Sequence, residues 1–264
     1  MPNFSITPFT ASEAGAWSNS YLVSGRQDAL LFDVVQLRNE AGKLADMIGR
    51  SGKTLKTVFI SHAHPDHFLG SDVLADRFPE ARFVTTPNVI GDLEKNGPWM
   101  LSLLQDRLGA EGPTRLVIPE AVTGNFVELE GSTFEIKEFG EGESAHIATL
   151  FVNEPKALLT ADVVYNGAHL FLQEKHLESW LDRLDEFEAY AKKLGAAIYP
   201  GHGAPGGIEL IDRTRGYLLD FAQAAKLGSP AMAQQRMLER YPDYRVKQFL
   251  TMFSIPAYFA PAVS

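Results

Sequence analysis

The chain has no cysteine. Disulfides and thiolate ligands are therefore excluded, and any metal must be held through nitrogen and oxygen. Basic residues are also scarce: 24 Lys and Arg stand against 33 Asp and Glu, for a net charge of −9. Binding a phosphate backbone requires clustered Lys and Arg that release counterions, so nucleic acid is not an expected partner. No apolar run approaches the roughly 20 residues of a membrane span. The opening Met1-Pro2-Asn3-Phe4-Ser5 lacks the basic and apolar regions of a secretory signal. The expected compartment is the cytoplasm, with no membrane partner. Linkers, low-complexity segments and short repeats are missing too.

What is present begins with apolar residues, 45% of the chain, enough for a substantial core in one large or two small domains. The densest chemistry lies in Thr57-Val58-Phe59-Ile60-Ser61-His62-Ala63-His64-Pro65-Asp66-His67. The run Val58-Phe59-Ile60 is too short for an independent helix and predicts a buried strand. His62 and His64 alternate with Ala63, so both side chains leave an extended backbone on one side. Pro65 turns the chain away from a continuous helix and places Asp66 and His67 on the turn beyond. Imidazoles with a carboxylate suit zinc or iron better than calcium or magnesium.

Strands are expected at Asn3–Phe9, Asn19–Val23 and Ala29–Asp33, the last two around the turn at 24–28. Helical spacing follows over Glu40–Arg50 and Phe68–Arg77, with a strand at Arg82–Thr86. Asn88–Leu108 is predicted as helical but broken at Asn96-Gly97-Pro98. Its Trp99, Met100, Leu101, Leu103 and Leu104 are apolar enough either for core packing or for a substrate-facing lid. Further strands are expected at Leu116–Ile118, Asn125–Leu129 and Thr133–Phe139, then a hairpin of Ile147–Val152 with Lys156–Thr160. In His176–Lys193 the residues Trp180, Leu184, Phe187 and Ala191 form one apolar stripe. A last strand, Ala196–Tyr199, runs into Gly201-His202-Gly203, and helices are expected over Gly207–Leu227 and Ala231–Tyr241. The segment Phe249–Phe259 is too apolar to stand in water and must cover its own domain or a second copy, which allows a homodimer.

The spacing His62-x-His64-x-Asp66-His67 resembles the metal loop of the metallo-β-lactamase superfamily. The resemblance implies an α/β fold, the four-layer αβ/βα sandwich, as one domain over 1–264. A helical insertion at about 87–113 and a helical C-terminal extension at about 207–264 would be added to it. The resemblance also implies two metal ions: one on His62, His64 and His146, the other on Asp66, His67 and His202, with Asp162 bridging. In place of the family's Gly-His-Thr-Pro-Gly-His, this chain has Gly140-Glu141-Gly142-Glu143-Ser144-Ala145-His146, which keeps the final His only. Asp33, closing an apolar strand, corresponds to the family's structural Asp or else is a solvated strand end. His169 and His176 match no motif position. Zinc is the first expectation for both ions, with iron or manganese as alternatives, and the missing cysteine excludes relatives that hold zinc through a thiolate.

On this resemblance the expected chemistry is hydrolysis of a small-molecule lactone, ester or thioester carbonyl by a metal-bridging hydroxide. Asp66 would shuttle a proton to the leaving group. Tyr165, three residues after Asp162, stands where acyl-homoserine lactonases of the superfamily carry a Tyr that contacts the substrate carbonyl, although a packing role would place a Tyr there equally well. β-Lactam or phosphoester hydrolysis is an alternative, as is an iron-dependent redox protein such as a persulfide dioxygenase.

Overall fold

The computed structural model describes residues 4–260. The strand expected from Asn3 is found at Ser5–Thr10 (β1), Asn3 itself lying outside the described residues. It pairs antiparallel with Asn19–Ser24 (β2), which pairs antiparallel with Asp28–Phe32 (β3). Thr54–Phe59 (β4), Arg82–Thr85 (β5) and Glu120–Ala121 (β6) continue this sheet in parallel. A second sheet has the order β11-β10-β9-β8-β7, built from Phe126–Leu129 (β7), Ser132–Phe139 (β8), Ile147–Val152 (β9), Ala157–Tyr165 (β10) and Ala197–His202 (β11). β10 and β11 run parallel and the other pairs antiparallel.

Strand alternation divides the first sheet between two cores. Tyr21, Val23, Leu30, Phe32 and Phe59 join the core shared with the second sheet. Leu22, Leu31, Leu55 and Val58 point the other way, against Leu44 and Ile48 of the helix Arg38–Arg50 (α1). Burial on both faces is why β3 reads as a near-continuous apolar run, Ala29-Leu30-Leu31-Phe32. Behind the second sheet, Trp180, Leu184 and Phe187 of Leu177–Leu194 (the helix whose stripe the sequence displays) pack with Leu218 and Phe221 of Glu209–Ala225. The result is helix, sheet, sheet, helix: the four-layer αβ/βα arrangement. No helix among the described residues is long and apolar enough to cross a membrane.

Several local expectations give way to packing. Pro87–Leu108 is one unbroken helix, because Gly97 is present for close approach and not for a break. A Cβ on Gly97 would lie 2.8 Å from Leu116 Cδ2. Only the first half of that helix is well buried, through Val89, Leu93 and Gly97, and Trp99 is 62% exposed. Leu116–Ile118 is not a strand: Leu116 and Val117 pack against the core between the first sheet and α1, Pro119 offers no N–H, and pairing starts only at Glu120. The C-terminal apolar segment forms a π-helix, Phe249–Ser254, and a short helix, Ile255–Phe259. Its Phe249, Leu250 and Ile255 are buried in the chain's own core.

One carboxylate ties the two sheets at their far end. Glu130, in the β7–β8 turn, accepts backbone bonds from Arg26 (3.0 Å), Gln27 (2.6 Å) and Asp28 (2.8 Å) in the β2–β3 turn. These three N–H donors lower its pKa to about 2. Because the folded pKa is depressed, the stabilisation is present above the unfolded carboxylate pKa and fades as pH falls toward about 2. Thermal melts of Glu130→Gln should therefore fall below wild type at pH 7 and converge with it as the medium is acidified through that window.

Candidate metal centre

The centre lies where the two sheets meet. At the end of β3, Asp33 takes a positive φ of 63°. Its backbone N–H donates to Phe59 O at 2.8 Å, which seats its side chain beneath the chain leaving β4. There it accepts from Ser61 N (2.7 Å), Ser61 Oγ (2.8 Å) and His67 Nδ1 (2.9 Å). Burial pushes the Asp33 carboxyl above its ordinary range, against the pull of His67 and Ser61. The buried supporting role is the one adopted, and not that of a solvated strand end. Pro65 begins a single helical turn, Pro65–Phe68, where its missing N–H is no loss, so Asp66 and His67 sit on that turn and not on a loop beyond it.

These contacts fix the tautomers. The one Ser61 hydroxyl proton goes to Asp33, so His62 Nδ1 must donate to Ser61 Oγ, 2.8 Å away. His67 Nδ1 donates to Asp33, and His202 Nδ1 donates to Ala16 O at 2.9 Å. The neutral form of each ring then carries its free lone pair on Nε2, pointing inward. His64 differs in having carboxylates on both sides: Nδ1 is 2.9 Å from Glu143 Oε1 and Nε2 is 2.9 Å from Glu174 Oε1.

The second sheet supplies the rest. β10 bulges at Ala161, whose φ is 45°, and its pairing with β11 shifts register there. The bulge delivers Asp162, with Oδ1 3.2 Å from His67 Nε2 and Oδ2 3.1 Å from His202 Nε2. Asp66 Oδ2 lies 3.5 Å from His67 Nε2 and 3.4 Å from His202 Nε2. Glycine is required beside them: a Cβ on Gly201 would lie 1.8 Å from Asp162 Oδ1. From beneath, Ser18 Oγ donates to Asp66 O (2.9 Å) and Asn19 Nδ2 to Pro200 O (3.0 Å) and Gly203 O (2.7 Å), fastening β2 to the end of β11.

Burial lowers the pKa of His62, keeping it neutral. Burial also pushes His67 and His202 down, but Asp162 and Asp66 beside them reverse this and leave both raised. His64 is raised in the same way by Glu143 and Glu174. Burial raises the Glu143 carboxyl to about 7. Such a negative field among neutral-capable imidazoles is suited to a cation.

Whether a metal fits can be tested on the atoms themselves. His62 Nε2, Asp66 Oδ2, His67 Nε2, Glu143 Oε2 and Asp162 Oδ1 are buried without hydrogen-bond partners. Unpaired buried polar atoms are costly, and these face one another. Two triads, His62/His64/Glu143 and Asp66/His67/His202, each offer three donor atoms within 4.8 Å of one another. Donors around a tetrahedral zinc at ~2.0–2.1 Å stand roughly 3.3 Å apart, and the carboxylate-to-imidazole separations here run from 2.9 Å to 3.7 Å. Asp33 also lies near His62 and His67, but its oxygens are already committed to Ser61 and to His67 Nδ1.

Of the residues expected at the site, His62, His64, Asp66, His67, Asp162, His202 and Tyr165 are brought together. His146 is not: its Nδ1 bonds Asp92 Oδ2 on the 87–108 helix at 2.8 Å, and its side chain is 36% exposed. Glu143 stands beside His62 and His64 instead. It and Glu174 escaped the sequence reading, although the acidic residues replacing the family's His-Thr were the visible signal. Tyr165 stacks on His202 (4.8 Å, 11°) and donates to Asp162 Oδ2 at 2.5 Å. His169 is buried elsewhere, 2.8 Å from Tyr217 OH. Phe171 packs on His64 (4.9 Å), Phe249 on His202 (5.4 Å), and Phe253 on Phe171 (5.5 Å).

A family model described as metallo-beta-lactamase superfamily matches residues 18–202, from the strand beneath the centre to its last histidine. No curated protein matches the sequence. Among solved structures, a metallo-beta-lactamase family protein from Thermus thermophilus is 18% identical, with 97% of this chain and 92% of that one covered and a TM-score of 0.65. A metallo-beta-lactamase from Pontibacter korlensis is also 18% identical, covering 83% and 99%, at 0.64. The metallo-beta-lactamase FIM-1 from Pseudomonas aeruginosa, in a mono-zinc form, is 16% identical over 82% and 96%, at 0.59.

Gly201→Ala should displace Asp162 and abolish tight metal binding, measured by chelator competition. Gly49→Ala is the control, on the α1 helix with nothing within 4 Å of the added carbon. It should leave binding unchanged and stabilise the fold by up to about 1 kcal/mol.

Proposed function

The chain belongs to the metallo-β-lactamase superfamily, and on that premise we propose that it is a hydrolase that uses two divalent ions to cleave a small-molecule lactone, ester or thioester. The observation carrying this reading is the set of unpaired, inward-facing donor atoms of the two triads, with Asp162 beside His67 and His202. Bound there, divalent ions would supply Lewis acidity and, by lowering the pKa of water from ~16 toward ~7, a hydroxide nucleophile at neutral pH. Zinc suits the nitrogen and oxygen donors. Each triad is also a two-His-one-carboxylate set, the donor set of non-haem iron, and this favours an iron-dependent redox protein as the second reading.

The chain's own residues do the positioning. Asp66 and His64, with side chains 10% and 9% exposed, form the least enclosed edge of the two triads. Asp66, whose Oδ2 faces His67 and His202, lies at that edge, where its carboxylate would pass a proton to a leaving group. Phe171, Phe249 and Phe253 make an apolar wall beside His64 and His202. It excludes water and suits an acyl or aromatic substituent on the substrate. The Tyr165 hydroxyl is directed at Asp162, which orients that carboxylate between His67 and His202.

Metal analysis followed by turnover of lactones, thioesters, β-lactams and phosphodiesters tests the reading. Two ions per chain and carbonyl hydrolysis abolished by chelators are expected; phosphodiester turnover alone, or coloured iron with oxygen chemistry, would replace it. His64→Ala should lower kcat/KM by orders of magnitude. His169→Ala should lower the melting temperature, because a buried hydrogen bond to Tyr217 is lost, and leave metal content intact.

Tyr165→Phe retains the stack on His202 and removes the bond to Asp162. Support of that kind is worth roughly 10–100-fold in metal affinity or activity. Metal affinity and kcat should fall together. A fall in kcat with affinity unchanged would instead assign the phenol to the substrate carbonyl.

A further inference from the structure

We propose that Glu143, and not His146, is the third protein ligand of the metal position held by His62 and His64, while His146 anchors the loop against the 87–108 helix. The inference rests on the two-metal reading above and departs from the family's pattern, in which a histidine fills this place.

Glu143 has a side chain with no solvent exposure. Its Oε1 is 2.9 Å from His64 Nδ1, its Oε2 is 3.7 Å from His62 Nε2, and Oε2 has no hydrogen-bond partner. Those separations bracket the roughly 3.3 Å between donors on a tetrahedral ion. Every salt-bridge contact of Glu143 among the described residues is to a histidine, with no Lys or Arg to balance it. The Tyr165 hydroxyl, at 3.4 Å, is the other polar neighbour. A buried carboxylate aimed at two imidazoles without a permanent countercharge is a ligand awaiting a cation.

His146 is already committed. It closes the loop immediately before β9, whose first residue, Ile147, is registered against Phe139. Its ring lies against Asp92, on the 87–108 helix. Turning it inward would break that bond, displace Glu143 and bury a second unbalanced group.

Bound zinc is counted per chain after equilibration in chelator-buffered zinc, on wild type, Glu143→Ala, Glu143→His and His146→Ala. Circular dichroism of each metal-stripped variant establishes its fold. Wild type and His146→Ala should each hold two ions. Glu143→Ala should hold one, the other weakened beyond the roughly 10–100-fold that loss of a supporting residue costs. Glu143→His should hold two, because an imidazole can replace the carboxylate as donor. The same series in Co²⁺ should show one altered absorption band set in Glu143→Ala and none in His146→Ala. Loss of an ion from His146→Ala, or two tightly held ions in Glu143→Ala, overturns the assignment. Should Glu143→Ala fail to fold, the decision passes to Glu143→Gln, which keeps the shape and weakens the donor: a weakened or lost second ion supports the assignment, and two ions held as tightly as in wild type overturn it. A wild type that holds two ions but hydrolyses no carbonyl substrate would end the hydrolase reading alone and leave this assignment standing.

Discussion

The three bonds that Asp33 accepts hold half of the metal centre in place. One oxygen takes the Ser61 backbone N–H, and the other takes the Ser61 hydroxyl and the His67 ring. Because the hydroxyl proton is spent on Asp33, Ser61 can only accept from His62, and the orientation of a second ring follows from the first carboxylate. Two histidines five residues apart are thereby set by a group 29 and 34 residues earlier in the chain. The positive φ of Asp33 is the backbone strain that this arrangement requires.

The remaining donors come from a different sheet and are placed by different means. Asp162 depends on a bulge and on a neighbouring glycine, His202 on a strand end tied to β2, and Glu143 on a loop. Tight packing at all three leaves little room for adjustment, and the aromatic wall from the C-terminal segment closes the outer side. An enclosure of this kind strengthens every charge interaction within it. The choice between a carboxylate and an imidazole at one position therefore has more effect here than on an open surface.

The parts legible in the sequence were those written in short-range pattern. The strand before His62, the stripe through Trp180, Leu184, Phe187 and Ala191, and the apolar C-terminal run all lie in single stretches, and packing honours each of them. Pro65 was legible as a bar to a continuous helix but not as the start of a one-turn helix, because the same residue that ends a helix also begins one at its first position. Gly97 looked like a break because nothing nearby in sequence reveals that Leu116 will press against it. The proposed exchange of Glu143 for His146 was hidden for a similar reason. Which of two residues three apart reaches the centre depends on where the β8–β9 loop crosses and on Asp92, 54 residues away.

The ligand triads also straddle the seam between the sheets. His62 and His64 from the first sheet face Glu143 from the second, and Asp66 and His67 face His202. An ion held by either triad is bonded to both halves at once, so its binding energy opposes their separation. Backbone amides along β2 and β11 would then report on metal supply, exchanging with solvent as one cooperative unit when ions are plentiful and as two when they are scarce. For a cell, the availability of the metal would set the protein's resistance to proteolysis as well as its chemistry.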